Sequence, residues 1–225
     1  MSPQNLHLSV HKELNSIISS LIEFSLINDQ NFPAIKKLPD NKHEVSFKGA
    51  DHVSIAMKDI DYGELYKELN SKRSFTARLI DGALIQLSYL FENGVLIKHR
   101  LAFYPSPYLQ PYQNSDDDYN RDEIYLEIVS RRIIPFPLRF DYDSYAAKDL
   151  IHPHCHLTLG DVKDCRIPTS GPITPLWFFD FIIRNFYQTQ KINFIDKLPA
   201  LKKINLKGTI TPSEKNVIHI NIPTR

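Results

Sequence analysis

The sequence predicts an α+β fold in which helices pack on an antiparallel β-meander sheet. Two observations carry that reading. Three runs at 74–80, 83–91 and 95–104 are joined by Asp81-Gly82 and Asn93-Gly94, the dipeptides that best accept positive φ in a tight hairpin turn. The run 175–189 opens on Thr174-Pro175, an N-cap followed by a proline at the first helical position. It carries Leu176, Trp177, Phe178, Phe181, Ile182 and Tyr187 around nearly its whole circumference. A helix apolar on all sides is a buried one, and it is expected to lie across the meander.

The other elements follow in chain order. Leu6, Val10, Leu14, Ile17, Ile18, Leu21 and Phe24 recur at spacings of three and four, which predicts an amphipathic helix over 3–27. Ser2-Pro3 caps its start, and it stops before Phe32-Pro33. Residues 33–51 read as loop with one short strand at 44–47, and a second short strand is expected at 52–57. Asp61-x-x-Glu64 resembles a capping box and opens a helix to about residue 71. The stretch 105–122 is a long polar loop holding Asp116-Asp117-Asp118, read as solvated because no EF-hand spacing accompanies it. A helix is favoured at 123–132. Residues 138–143 and 152–159 each alternate strictly, as half-buried strands do. A short strand is expected at 165–168 and a last one at 216–222. The whole chain, 1–225, is read as a single α+β domain: a helical N-terminal segment 3–27, a sheet core 74–189 and a peripheral C-terminal segment 191–225.

Composition limits function. The chain has 225 residues, formal net charge +1, 42% hydrophobic residues and two cysteines. Such a charge exerts no long-range pull on nucleic acid or anionic lipid, so any such contact must be local. Two cysteines do not make a disulfide scaffold. No apolar run reaches 18 residues, so no membrane is expected, and the expected compartment is the cytoplasm. Neither a phosphate-binding loop nor a dinucleotide fingerprint is present, and no cofactor is expected.

The chemistry concentrates in 151–187, which holds three of the nine histidines, both cysteines and the only tryptophan. On the strand 152–159, His152, His154, His156 and Thr158 share one face. Arg139, Asp141 and Asp143 share a face of the preceding strand, and Arg166 follows one short turn later. If the two strands pair, imidazoles, a guanidinium and carboxylates meet. Paired histidines give and take a proton in one cycle, and a guanidinium holds a phosphate by two parallel hydrogen bonds. The candidate catalytic residues are therefore His154, His156, Arg139 and Arg166. The bland reading is that the histidines cap a strand end and Arg139 makes an ordinary ion pair. Zinc on the histidines with Cys155 or Cys165 is disfavoured, because Cys155 points the other way and no C-x-x-C or H-E-x-x-H is present. Tyr104, Tyr108, Tyr112 and Tyr119, near Lys98 and Arg100, suit either the stacking of single-stranded bases or the packing of a loop on the sheet edge.

His152-Pro-x-x-His156-Leu-Thr-Leu-Gly160, Cys165-Arg-Ile-Pro168, Pro172-Ile-Thr-Pro175 and Phe181-Ile-Ile-x-Asn185-Phe186-Tyr187, with Arg139-Phe-Asp-Tyr-Asp143 upstream, resemble an uncharacterised bacterial family known as domain of unknown function 2290. The resemblance implies a component of a phage-defence or toxin–antitoxin system. Lys98-His-Arg-Leu101 followed by a His-x-His strand is also similar to small toxins of the TumE type. Two functions are expected to compete: a metal-independent, nuclease-like effector acting on nucleic acid, or a non-enzymatic adaptor that docks on another defence protein. A protein partner is expected under either.

Overall fold

The computed structural model describes residues 5–48, 50, 60–108, 136–160, 164–187, 193–200 and 204–223. Helix α1, Leu6–Glu23, buries Val10, Leu14, Ile17, Ile18 and Leu21 along the expected stripe. It ends sooner than the proline at 33 would require, because Ser25 takes φ 58 and turns the chain. Strand β1, Ile27–Gln30, follows at once. The expected cap at Ser2-Pro3 lies outside the described residues.

Residues 33–48 are more ordered than their composition implies. Strand β2, Ala34–Leu38, pairs in antiparallel fashion with β3, Lys42–Ser46. Asp40 and Asn41, at φ 58 and 53, turn the chain between them, as short polar side chains tolerate. Helix α2, Tyr62–Ser71, is capped as expected: the Asp61 carboxylate accepts from the backbone N–H of Gly63 and Glu64. The strand expected at 52–57, the acidic loop and the helix expected at 123–132 lie outside the described residues.

The meander is present as β4, Ala77–Leu79, β5, Leu84–Glu92, and β6, Val95–Tyr104. Asn93 and Gly94, at φ 50 and 80, form the expected two-residue turn. Asp81-Gly82 differs. Its loop closes with Gly82 N–H to Leu79 O and Leu79 N–H to Ala83 O, and only Gly82 has positive φ, at 85. This is a three-residue loop with glycine in the left-handed position, adopted because Asp81 is tied down by its own side chain.

Strands β7, Leu138–Asp143, β8, Cys155–Leu159, and β9, Ile167–Pro168, extend the sheet. The order is β1-β4-β5-β6-β7-β8-β9, with β3 and then β2 added along the second half of β5. All pairings between these nine strands are antiparallel, so the fold is α+β, an open antiparallel sheet carrying helices. β8 is shorter than expected: Pro153 has no N–H to give the ladder, and His152 makes only an isolated bridge to Lys148. The last strand is reduced to one bridge, Thr169 with Ile220.

Helix α3, Pro175–Ile182, is capped by Thr174 Oγ1 and runs into a π-helical turn, Ile183–Tyr187. It packs with α1 on one face of the sheet, where Phe178 and Phe181 meet Phe140 edge-on at 6.3 and 5.4 Å. Phe178, Phe179 and Ile182 are fully buried, whereas Trp177 and Phe181 remain partly accessible. Helix α2 covers the opposite face at one end, closing a second core of Leu65, Tyr66, Leu69, Phe75, Leu84, Ala102 and Tyr104. Among the described residues no helix is long and apolar enough to cross a membrane.

Candidate functional site

Strand alternation sends Leu138, Phe140 and Tyr142 of β7 towards α3 and leaves Arg139, Asp141 and Asp143 on the other face. The register then sets one row across five strands: Ser88, Arg100, Asp141, His156 and Pro168 are successive cross-strand partners. Arg139 sits beside this row, opposite Thr158 and Ala102. The sequence places Arg139, Asp141 and His156 on one face, and the structure puts them there.

Asp141 is the hub. Arg139 Nε donates to its Oδ2 at 2.5 Å and Arg100 Nε to its Oδ1 at 3.3 Å. Each guanidinium also makes a further interaction. Burial pushes the Asp141 carboxyl up, but Arg139 and Arg100 outweigh it and hold the group below the usual carboxylate range. His156 Nε2 lies 3.9 Å from Asp141 Oδ2, beyond a hydrogen bond but well inside Coulombic reach.

His156 is almost fully buried, with 3% of its surface exposed. Its Nδ1 lies 3.1 Å from the Pro153 carbonyl, which can only accept. The neutral ring therefore carries its proton on Nδ1 and presents Nε2 as a base. Burial lowers its pKa, and Asp141 offsets this only in part, so it is neutral at pH 7.

The imidazole that meets His156 is His152, edge-on with ring centroids 5.0 Å apart. His154, two residues from His156, contributes its backbone carbonyl to Asp143 N–H, and its Nδ1 is buried. Arg166 is close enough to His156 to lower its pKa, but its guanidinium donates to Asp164 at 2.7 Å and to the Ile151 carbonyl. Of the four candidate residues, Arg139 and His156 converge on Asp141, Arg166 lies nearby in its own ion pair, and the His154 ring Nδ1 has no hydrogen bond among the described residues. Arg100 and His152 join instead. Arg100 is legible as a base on the polar face of its strand, but the strand opposite it is not. Lys98 is occupied by Asp143 at 3.0 Å.

Burial bears on the cysteine and tyrosine readings. Cys155 faces the core, where Thr209 Oγ1 donates to its Sγ, and burial pushes the thiol up to about 12. Among the described residues no three His, Cys, Asp or Glu side chains group so as to hold a metal ion. Tyr104 is buried beneath α2, and Tyr108 donates to the Gly63 carbonyl with its ring against Tyr66. Both pack the loop start onto α2: Tyr104 is covered by it, whereas Tyr108 keeps 48% of its surface exposed, with Lys67 Nζ 5.3 Å from its ring centroid. Tyr112 and Tyr119 lie outside the described residues.

No curated protein and no solved structure matches the chain, so the likeness to TumE-type toxins has no counterpart there. The model of one family, described as an uncharacterized conserved protein (DUF2290), matches residues 26–222, which span strands β1 to β9 and all of the Asp141 cluster. The chain belongs to that family.

Proposed function

We propose that the Arg100–Asp141–His156 row is an acid–base site for a phosphodiester, and that the protein is a nuclease-like effector of a bacterial defence or toxin–antitoxin system. The observation that supports this most is the state of His156: its Nδ1 proton is committed to Pro153, its Nε2 has no hydrogen bond among the described residues, and a second imidazole stands 5.0 Å away. In this reading Nε2 takes the proton of an RNA 2′-hydroxyl, whose oxygen attacks phosphorus. The 5′-oxygen leaves and takes a proton from the imidazolium of His152. Arg100 and Arg139, oriented by Asp141, stabilise the charge that develops on the phosphoryl oxygens. The test is cleavage of labelled single-stranded RNA in excess chelator. His156→Gln and His152→Gln should each lose at least about 100-fold in rate, the scale of one proton-transfer group, with melting shifted by only a few degrees. Full activity in both variants, or an inert wild type, removes the reading.

A second reading, the docking subunit, is favoured by a separate observation. Tyr145, Leu150 and Ile151, in the loop between β7 and β8, are 72%, 51% and 71% exposed, an unusual loss of apolar burial beside the cluster. An adaptor keeps its phage protection in His156→Gln and loses it in Ile151→Asp; an enzyme gives the reverse.

A further inference from the structure

On the opposite face of the sheet from Asp141, a cavity of about 220 Å³ opens between α1, α3 and the segment beyond it. Its walls are Leu176, Trp177, Ile195, Leu198 and Ile204, and Glu13 of α1 reaches into it. That volume far exceeds the roughly 10–15 Å³ that one water occupies, and it falls below the roughly 300–1,000 Å³ of a drug-sized site. The occupant it fits is small.

Glu13 is the unusual member. It stands within the apolar stripe of α1, between Val10 and Leu14, and is 3% exposed. Among the described residues its only hydrogen bond is from the Leu176 backbone N–H to Oε2, at a long 3.4 Å. Among the described residues no cation pairs with it: Arg184, which also lines the cavity, is held by both oxygens of Asp180 at 2.7 and 3.2 Å. Burial pushes the Glu13 carboxyl up to about 7, the mark of a charge left without compensation. A packing helix gains nothing from such a residue, since a leucine there would bury more and cost less. A ligand that brings a cation removes the penalty.

We propose that this cavity binds a small hydrophobic amine, its ammonium on Glu13 and its apolar body against Trp177 and Leu198. A neutral hydrocarbon would leave the carboxylate uncompensated, and an anion would be repelled by it. The indole of Trp177 suits both an aromatic ring and a cation. The site is independent of the phosphodiester reading, and it stands or falls separately.

Trp177 is the only tryptophan in the chain, so its fluorescence reports the cavity directly. The experiment titrates the full chain with 2-phenylethylamine, and with ethylbenzene and 3-phenylpropionate as neutral and anionic counterparts. A saturable fluorescence change and a raised melting temperature are expected with the amine alone. Glu13→Gln should fold, keep its RNA and defence phenotypes, and bind the amine at least tenfold more weakly. Leu198→Trp, which fills the cavity, should abolish amine-induced stabilisation. No saturation by the amine overturns the proposal, as do ethylbenzene binding equally well and an unchanged affinity in Glu13→Gln.

Discussion

Tyr187 Oη donates to Asp81 Oδ2 at 2.7 Å, joining the end of the α3 segment to the first turn of the meander. Both residues are buried. Oδ1 of the same carboxylate accepts from Ala83 N–H, so one aspartate closes its own loop and receives a tyrosine from 106 residues away. Burial pushes the Asp81 carboxyl up, and these bonds partly restrain it. Tyr187→Phe leaves Oδ2 buried and unpaired, which should cost roughly 1–3 kcal/mol. Chemical denaturation with an unchanged m-value checks it; a change under a few tenths would show that the bond does not matter.

Gly94 occupies the left-handed region at φ 80, beside Asn93 at φ 50. Gly94→Ala should destabilise by about 1 kcal/mol, because a Cβ strains that conformation. The same substitution at Gly82 should cost more. A Cβ there meets Tyr66 Oη at 3.2 Å and Ser106 at 3.3 Å as well as bearing φ 85. Equal melting temperatures for the two variants would contradict this ranking.

The centre of the sheet was legible because turn chemistry and alternation agree there. Asn93-Gly94, the apolar faces of β6 and β7, and the caps at Asp61 and Thr174 each point to one local answer. The edges were not. Ala34–Leu38 is mostly exposed or half-buried, so no alternation marks it, and it is a strand only because β3 pairs with it. The row through Asp141 was half legible. Alternation assigns faces, but only register tells that Arg100 stands opposite Asp141 across a connection from Tyr104 to Leu138. Nor does alternation tell what covers a face: His156 lies on the polar face of its strand and is buried.

Asp141 compensates two guanidiniums at once. Its folded pKa is depressed, so it contributes stability that is present above the unfolded pKa and lost as pH falls through the folded one. Asp141→Asn should therefore cost roughly 1.5–3 kcal/mol at pH 7, the range for a hydrogen bond to a charged group, and less at pH 3, below the ordinary carboxyl value of 3.8. A cost that is the same at both pH values would mean that shape rather than charge is what Asp141 supplies.

Glu13 and His99 set opposing pH dependences within one core. Glu13 is raised to about 7 by burial. The folded state binds its proton more tightly than the unfolded chain, so the stability from the neutral carboxyl is full below the unfolded pKa and lost as pH rises to about 7. His99 accepts a hydrogen bond from Ile173 N–H through Nε2 at 3.1 Å, and burial lowers its pKa to about 4. It stays neutral in the fold while the unfolded chain takes up a proton, so its stability is lost as pH falls from about 6.5 towards 4. Each is worth about 3 kcal/mol at full effect, and between about pH 4.5 and 6.5 the two slopes oppose each other. Glu13→Gln, which mimics the neutral acid, should be more stable than the wild type at pH 8 and nearly equal at pH 4. The stability of the variant should fall more steeply on acidification, because the His99 slope is no longer offset. Denaturation at half-unit steps of pH measures the difference curve directly, and a flat difference across pH 4 to 8 would show that Glu13 titrates normally in the fold.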